Sequence, residues 1–276
     1  MTEVPELKLL QNHQVVVDRF INACEFDDRI VAAFLGGSYA RGTADEHSDL
    51  DLYLVIADNA FDNFISNRDA FLRLFGEPVF IENFDNPKTV CYIYADGTEG
   101  ELWFGPTSSF THIHSGPYIV LVDKKNILAG VEFSADKPGH AEQTEKLRQF
   151  INWFWHDLSH FITAMNRSQL WWAYGQLEVL RQYCINLARL QHNFSDPEVG
   201  EEPYFKIEKA IPVEYLSPLA GTCCPLEKMA MLHASIAVIR FYKKLATSLA
   251  QAYGLEYPEI LERVMAHRLE KMNVYL

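Results

Sequence analysis

Residues 36–51 constrain this chain more than any other stretch: Gly36-Gly37-Ser38, ten residues, then Asp49-Leu50-Asp51. The run before it, Ile30 to Leu35, is wholly apolar and reads as a short buried strand that the two glycines stop. Paired glycines permit a tight turn with dihedrals that other residues avoid, and their missing side chains let an anion reach the main chain. The turn predicts a helix opening at Ser38. Unpaired N–H groups at a helix start favour anions, so a triphosphate could rest across Gly37 and Ser38. The Ser38 hydroxyl can donate to a phosphate oxygen, and Arg41 adds positive charge nearby. Asp49 to Ile56 alternates apolar and polar residues, the pattern of a second strand. On such a strand Asp49 and Asp51 leave the same face, about 6–7 Å apart. Two hard oxygen ligands there suit magnesium, which takes its remaining ligands from water and phosphate. By itself Asp-x-Asp is commonplace, with Asp49 capping a turn and Asp51 facing solvent. The glycine turn upstream, and the repulsion between two adjacent carboxylates without a cation, favour the metal site.

The pattern outside this segment divides the chain. Residues 8–25 carry apolar side chains at helical spacing, and 59–75 read as another helix ended by Gly76-Glu77-Pro78. Strand-like runs follow at Val79–Asn83, Thr89–Tyr94 and Glu101–Phe104, with Asp96-Gly97 marking a reversal, and a further run at Tyr118–Val122. The composition shifts at Asp136-Lys137-Pro138-Gly139, which places a boundary between domains 1–137 and 138–276. Beyond it, long helical patterns cover Glu142–Asn166, Gln169–His192, 226–253 and 257–271, with an irregular stretch from Ser195 to Pro203. The fold class expected is α+β: a small mixed sheet with flanking helices, then a C-terminal helical bundle.

Composition narrows the chemistry. With 49% hydrophobic residues in 276, the chain can fill a sizeable core. Its net charge of -13 disfavours nucleic acid as a partner and suits a neutral or cationic small molecule, although acidity also simply aids solubility. The five cysteines lack zinc-ligand spacing, and their odd number argues against a disulfide framework. Met1 to Leu9 has no basic and apolar leader pattern, and no apolar run approaches a membrane span, so a soluble, cytoplasmic protein is expected.

The stretch GGSYARGTADEHSDLDLYLV resembles the signature of the DNA polymerase β-like nucleotidyltransferase superfamily. The wider arrangement resembles the antibiotic nucleotidyltransferases, particularly the lincosamide-modifying branch, with kanamycin- and streptomycin-modifying enzymes more distant. The likeness covers the first 130 or so residues; the helical half shares helix lengths and order. It implies a small twisted sheet flanked by helices, with ATP or another nucleoside triphosphate in a cleft against the helical domain. It also implies a two-ion magnesium site, Ser38 at the triphosphate, Asp49 and Asp51 as metal ligands, and a third acid on a neighbouring strand. Glu101 is the best match for that acid, as metal ligand or as base for the acceptor hydroxyl; Glu99 is the fallback. Relatives carry Arg-Gly-Glu where this chain has Arg167-Ser168-Gln169. Gln169 cannot take a proton, which moves the base to Glu101 and leaves Glu178 a weaker candidate.

Several features read more plainly. His156 and His160 stand four apart, one face of a helix, but a metalloprotease pattern needs Glu where Asp157 stands and no third ligand is apparent. His112 and His114 read as loop residues, and Cys223-Cys224 as a small buried pair. The aromatic cluster Trp153, Phe154, Trp155, Trp171, Trp172 and Tyr174 reads mainly as bundle core, with an acceptor pocket as the other use.

The expectation is therefore a metal-dependent nucleotidyltransferase. It moves a nucleoside monophosphate from a triphosphate to a small hydroxylated acceptor, an antibiotic among the candidates, releasing pyrophosphate. Related enzymes often form homodimers. Two rivals stand beside it: nucleotidylation of RNA or protein, and a non-catalytic nucleotide-binding regulatory or toxin–antitoxin module.

Overall fold

A computed structural model describes residues 9–134, 138–272, 274 and 275. By its internal contacts the chain divides into two compact units, Met1–Asp136 and Lys137–Leu276. The expected boundary at Asp136–Gly139 falls partly outside the described residues, as does most of the N-terminal segment read for a leader.

The first unit runs α1 (Gln11–Phe26), β1 (Ile30–Leu35), α2 (Gly37–Ala40), β2 (Leu50–Ile56), α3 (Phe61–Ser66), α4 (Arg68–Leu72), β3 (Pro78–Glu82), β4 (Thr89–Tyr94), β5 (Glu99–Pro106) and β6 (Ile119–Asp123). The six strands form one mixed sheet in the order β3-β4-β5-β2-β1-β6. Among the described residues the central β2–β5 pair is parallel and the other four pairings are antiparallel.

The period of two along these strands sorts their side chains. Leu50, Leu52, Leu54, Leu102 and Phe104 enter a core with Val16, Val17 and Phe20 of α1 and Phe71 and Leu72 of α4. Phe20 is wholly buried, and truncating such a ring to Ala costs about 3–5 kcal/mol. The opposite face carries a smaller cluster of Ala32, Phe34, Tyr53, Val55, Leu128 and Phe133, with Trp103 packed against it. Asp51 and Glu101 belong to that second face by strand parity.

Three local expectations are corrected. Asp49 lies one residue before β2, in the loop, because β2 pairing starts at Leu50 opposite Gly100. The helix expected over 59–75 is a short turn followed by α3 and α4, broken at Asn67, whose side chain bonds the Asn63 carbonyl. β5 begins two residues earlier than expected, which makes Glu101 its third residue.

The second unit contains α5 (His140–Asn166), α6 (Leu170–His192), α7 (Ile207–Ala210), α8 (Val213–Ala220), α9 (Lys228–Ala252) and α10 (Glu259–Glu270). The sequence reading left α7 and α8 unassigned, since each is too short to show a clear helical period. The helices share one core in which the Phe154 and Tyr242 rings stack 3.6 Å apart. The irregular stretch after α6 is clasped by buried Arg189. Its guanidinium pairs with Asp196 at 2.8 Å and donates to the carbonyls of Pro203 and Phe205. Removing one partner of such a buried pair costs about 3–5 kcal/mol.

The aromatic cluster divides. Phe154 and Trp155 are core, while Trp153, Trp171, Trp172 and Tyr174 are exposed, so the expected bundle-core role fails for those four. Cys223 is exposed and Cys224 half-buried, which corrects the expected buried pair. Among the described residues no helix is long and apolar enough to cross a membrane.

Candidate active site

The glycine turn and the acid face meet where β1 ends. The Gly36 N–H donates to the Asp51 carbonyl at 2.9 Å, tying the turn to the start of β2. Gly37 has φ +58, a left-handed backbone that favours glycine, and a Cβ there would stand 1.5 Å from Asp51 Oδ2. The backbone of the turn therefore lies directly against the Asp51 carboxylate. Gly36 is equally cramped: its Cβ would meet His114 and Tyr53, each at 2.8 Å.

After the turn comes α2, a single turn of helix rather than an extended one. It is held by Tyr39, whose hydroxyl pairs with His13 Nδ1 of α1 at 2.6 Å. Burial lowers the His13 imidazole from its ordinary value, with the nearby Asp49 and Asp96 charges pulling the other way. Ser38 Oγ is buried and meets no hydrogen-bond partner among the described residues. A hydroxyl in that state loses its bonds to water without replacement, a cost a phosphate oxygen would remove. Arg41 ends α2 and is exposed; its charge reaches Tyr53 and His114.

The third acid comes from the sheet register. Asp51 and Glu101 are Cα partners across the parallel β2–β5 pair, and Cys91 is the partner of Glu101 across β4–β5. Glu101 Oε2 accepts from the Trp103 indole N–H at 2.9 Å, and Oε1 from the Cys91 thiol at 3.8 Å. Both contacts orient the carboxylate and leave it lone pairs to spare. Glu99, the fallback, is exposed at the strand start opposite Ile93.

Beneath the acids lies an aromatic floor. Tyr53 stacks on Phe34 with centroids 4.7 Å apart, and the His114 ring sits edge-on to Tyr53 at 4.6 Å. Burial, followed by the charges of Asp51 and Glu101, pushes the Tyr53 phenol well up, so it stays protonated. Burial lowers His114, and its Nε2 lies 3.0 Å from the Pro117 carbonyl. Beside Trp103 opens a cavity of about 210 Å³, also lined by Asn86, Lys88, His112 and Ile113.

The structure thus brings together Gly37, Ser38, Asp51 and Glu101. Asp49 is exposed two residues upstream of Asp51, close enough for its charge to act on His13 and Tyr39. Glu178 is elsewhere engaged. It ion-pairs with Arg181 and accepts from the Tyr204 hydroxyl and from Gln182, so its carboxylate serves the helical unit. The sequence reading missed Trp103 and Tyr53 and set His114 aside. Strand alternation could have flagged the first two, since Tyr53 follows Asp51 and Trp103 follows Glu101 by one period.

By chemistry these residues fit magnesium: the Asp51 and Glu101 carboxylates are paired across β2–β5, Asp49 adds a carboxylate from the loop just before β2, and the Ser38 hydroxyl meets no partner among the described residues. The chain as a whole is similar to known proteins. A family model described as streptomycin adenylyltransferase matches residues 10–272. A Methanocaldococcus jannaschii protein named "Putative protein adenylyltransferase" is 50% identical over 54 residues, 19% of this chain and 34% of that protein. This chain therefore spans about a third of that relative's length. A solved aminoglycoside 6-adenyltransferase from Bacillus subtilis aligns at 15% identity and a TM-score of 0.39, over 95% of this chain and 98% of that one.

Proposed function

Since this chain belongs to the streptomycin adenylyltransferase family and is a nucleotidyltransferase, we propose that it transfers a nucleoside monophosphate, AMP from ATP first among them, to a hydroxyl of a small acceptor. The single observation that carries the reading is the convergence of Asp51, Glu101 and the Gly37–Ser38 turn at one edge of the sheet. Asp49 and Asp51 would hold magnesium, with Glu101 completing the acid set. Bound magnesium would neutralise the triphosphate and stabilise the departing pyrophosphate.

The chain's own residues supply the rest. Ser38 Oγ donates to a phosphate oxygen, and Arg41 adds charge at the same turn. Glu101 accepts the acceptor hydroxyl's proton as the new O–Pα bond forms and the Pα–O bond to pyrophosphate breaks. Trp103 holds Glu101 so that this proton transfer needs no side-chain search. The family description and the net charge of -13 together favour a cationic, polyhydroxylated acceptor of the aminoglycoside class.

The test is a screen. Purified protein with magnesium and each nucleoside triphosphate is assayed for pyrophosphate release against aminoglycosides, lincosamides and other hydroxylated small molecules. Release with an acceptor, lost in Asp49→Asn with Asp51→Asn, is the expected result. No release with any acceptor, together with unchanged nucleotide and metal binding in that double variant, would overturn it. The archaeal relative's name favours a second acceptor, a protein hydroxyl. Radiolabel from α-labelled ATP that enters protein rather than a small molecule would decide for it.

A further inference from the structure

In the second unit, α5 presents His156, Asp157 and His160 together. One ligand atom from each lies within 4.8 Å of the others. Spacing of four residues puts both imidazoles on one helix face, and their ring centroids are 4.7 Å apart. His156 Nδ1 stands 3.0 Å from Asp157 Oδ1, and His160 Nδ1 stands 3.9 Å from that same oxygen. A third ligand therefore comes from the residue that fails the metalloprotease pattern.

The carboxylate is anchored from behind. The Tyr183 hydroxyl of α6 donates to Asp157 Oδ2 at 2.7 Å, which leaves Oδ1 turned to the two rings. Outer hydrogen bonds of this kind orient metal ligands and are characteristic of built sites. The Asp157 side chain is 15% exposed while His156 and His160 are 65% and 44% exposed, so a fixed oxygen faces two rings with room to adjust. Zinc binds imidazole and carboxylate at about 2.0–2.2 Å, so rotations of the two rings would close the set. An ion pair with Asp157 would occupy one imidazole; two are directed at Oδ1.

We propose that His156, Asp157 and His160 form a second metal site, for a zinc-class dication, with solvent completing its coordination. Two imidazoles and one carboxylate select zinc over magnesium, which separates this site from the all-oxygen acids of the first unit. Through Tyr183 the bound ion would clamp α5 to α6. The proposal is independent of the transferase reading.

The experiment is calorimetric titration of chelator-stripped, full-length protein with zinc alone and with magnesium alone. One zinc per chain with micromolar affinity is expected, not displaced by millimolar magnesium. Tyr183→Phe should weaken zinc about 10-fold, as loss of an outer-shell partner does. His156→Ala with His160→Ala should abolish the stoichiometric heat, with circular dichroism unchanged because both rings are on the surface. The Trp172 ring lies 6.1 Å from His160, so copper(II) substituted at the site should quench tryptophan emission in the parent and not in the double variant. No stoichiometric zinc uptake, or equal uptake by the double histidine variant, would overturn the site.

Discussion

Asp51 and Glu101, fifty residues apart in the chain, are direct partners across the parallel β2–β5 pair, and their side chains leave the same face of the sheet. Neighbouring strands lie about 4.8 Å apart, so the two carboxylates can share a ligand without any loop moving. That pairing is the ground on which Glu101 is proposed as the third acid of the site.

Glu101→Gln keeps the shape and the Trp103 contact but removes the proton acceptor. Its kcat should fall about 10²–10⁴-fold, with nucleotide binding retained. Trp103→Phe keeps the ring and removes the indole donor to Glu101. A fall in kcat of about 10-fold with little change in KM for nucleotide is expected, on the scale of losing an outer-shell partner. Steady-state kinetics read both; a rise in KM alone for Trp103→Phe would assign the indole to substrate binding instead.

Ser38→Ala separates binding from folding. The buried Ser38 Oγ has no hydrogen-bond partner among the described residues, so its removal should leave the melting temperature unchanged or slightly raised. The KM for the triphosphate should rise about 10-fold, the value of one charge-assisted hydrogen bond of roughly 1.5 kcal/mol. Unchanged KM would remove Ser38 from the site.

Gly37→Ala should be severe for a local reason. A methyl group would stand 1.5 Å from Asp51 Oδ2 at a φ of +58, so either the turn or the carboxylate must move. Left-handed strain alone costs about 1–2 kcal/mol, and displacing Asp51 should bring activity to background. Denaturant unfolding and the pyrophosphate assay read the two effects. Gly42→Ala is the control, since its φ is +69 but nothing lies within 4 Å of the added methyl.

Ser168 has a left-handed backbone, with φ +56. Ser168→Gly relieves the left-handed strain and should raise stability by about 0.5–1 kcal/mol, after the entropy glycine adds to the unfolded chain. The denaturation midpoint is the measurement, and a lower midpoint would show that the serine side chain contributes more than its backbone costs.

Burial holds the His13 and His114 imidazoles below their ordinary value of 6.5. As the pH falls through that value the unfolded chain takes up protons that the folded chain does not. Stability should therefore decrease on acidification across the window below 6.5 and level off above it. Melting temperatures from pH 8 to about 5 test this, and His114→Gln should make the slope shallower. An unchanged slope would locate the dependence in other groups.

What the amino-acid sequence by itself determined is local. β1 and β4 were legible to the residue, because an apolar run bounded by glycine or by turn residues reports its own conformation. The Gly36-Gly37-Ser38 turn was legible for the same reason: backbone sterics act between adjacent residues. The strand parity assigned to Asp49 was not secure, since β2 starts at Leu50, where pairing with Gly100 begins. Only the tertiary structure decided that Cys91 and Trp103 orient Glu101, that His114 packs on Gly36, and that Tyr183 aims Asp157 at two histidines. Strand register and helix packing follow from burying apolar faces across long stretches of chain, and no window of neighbouring residues carries that information.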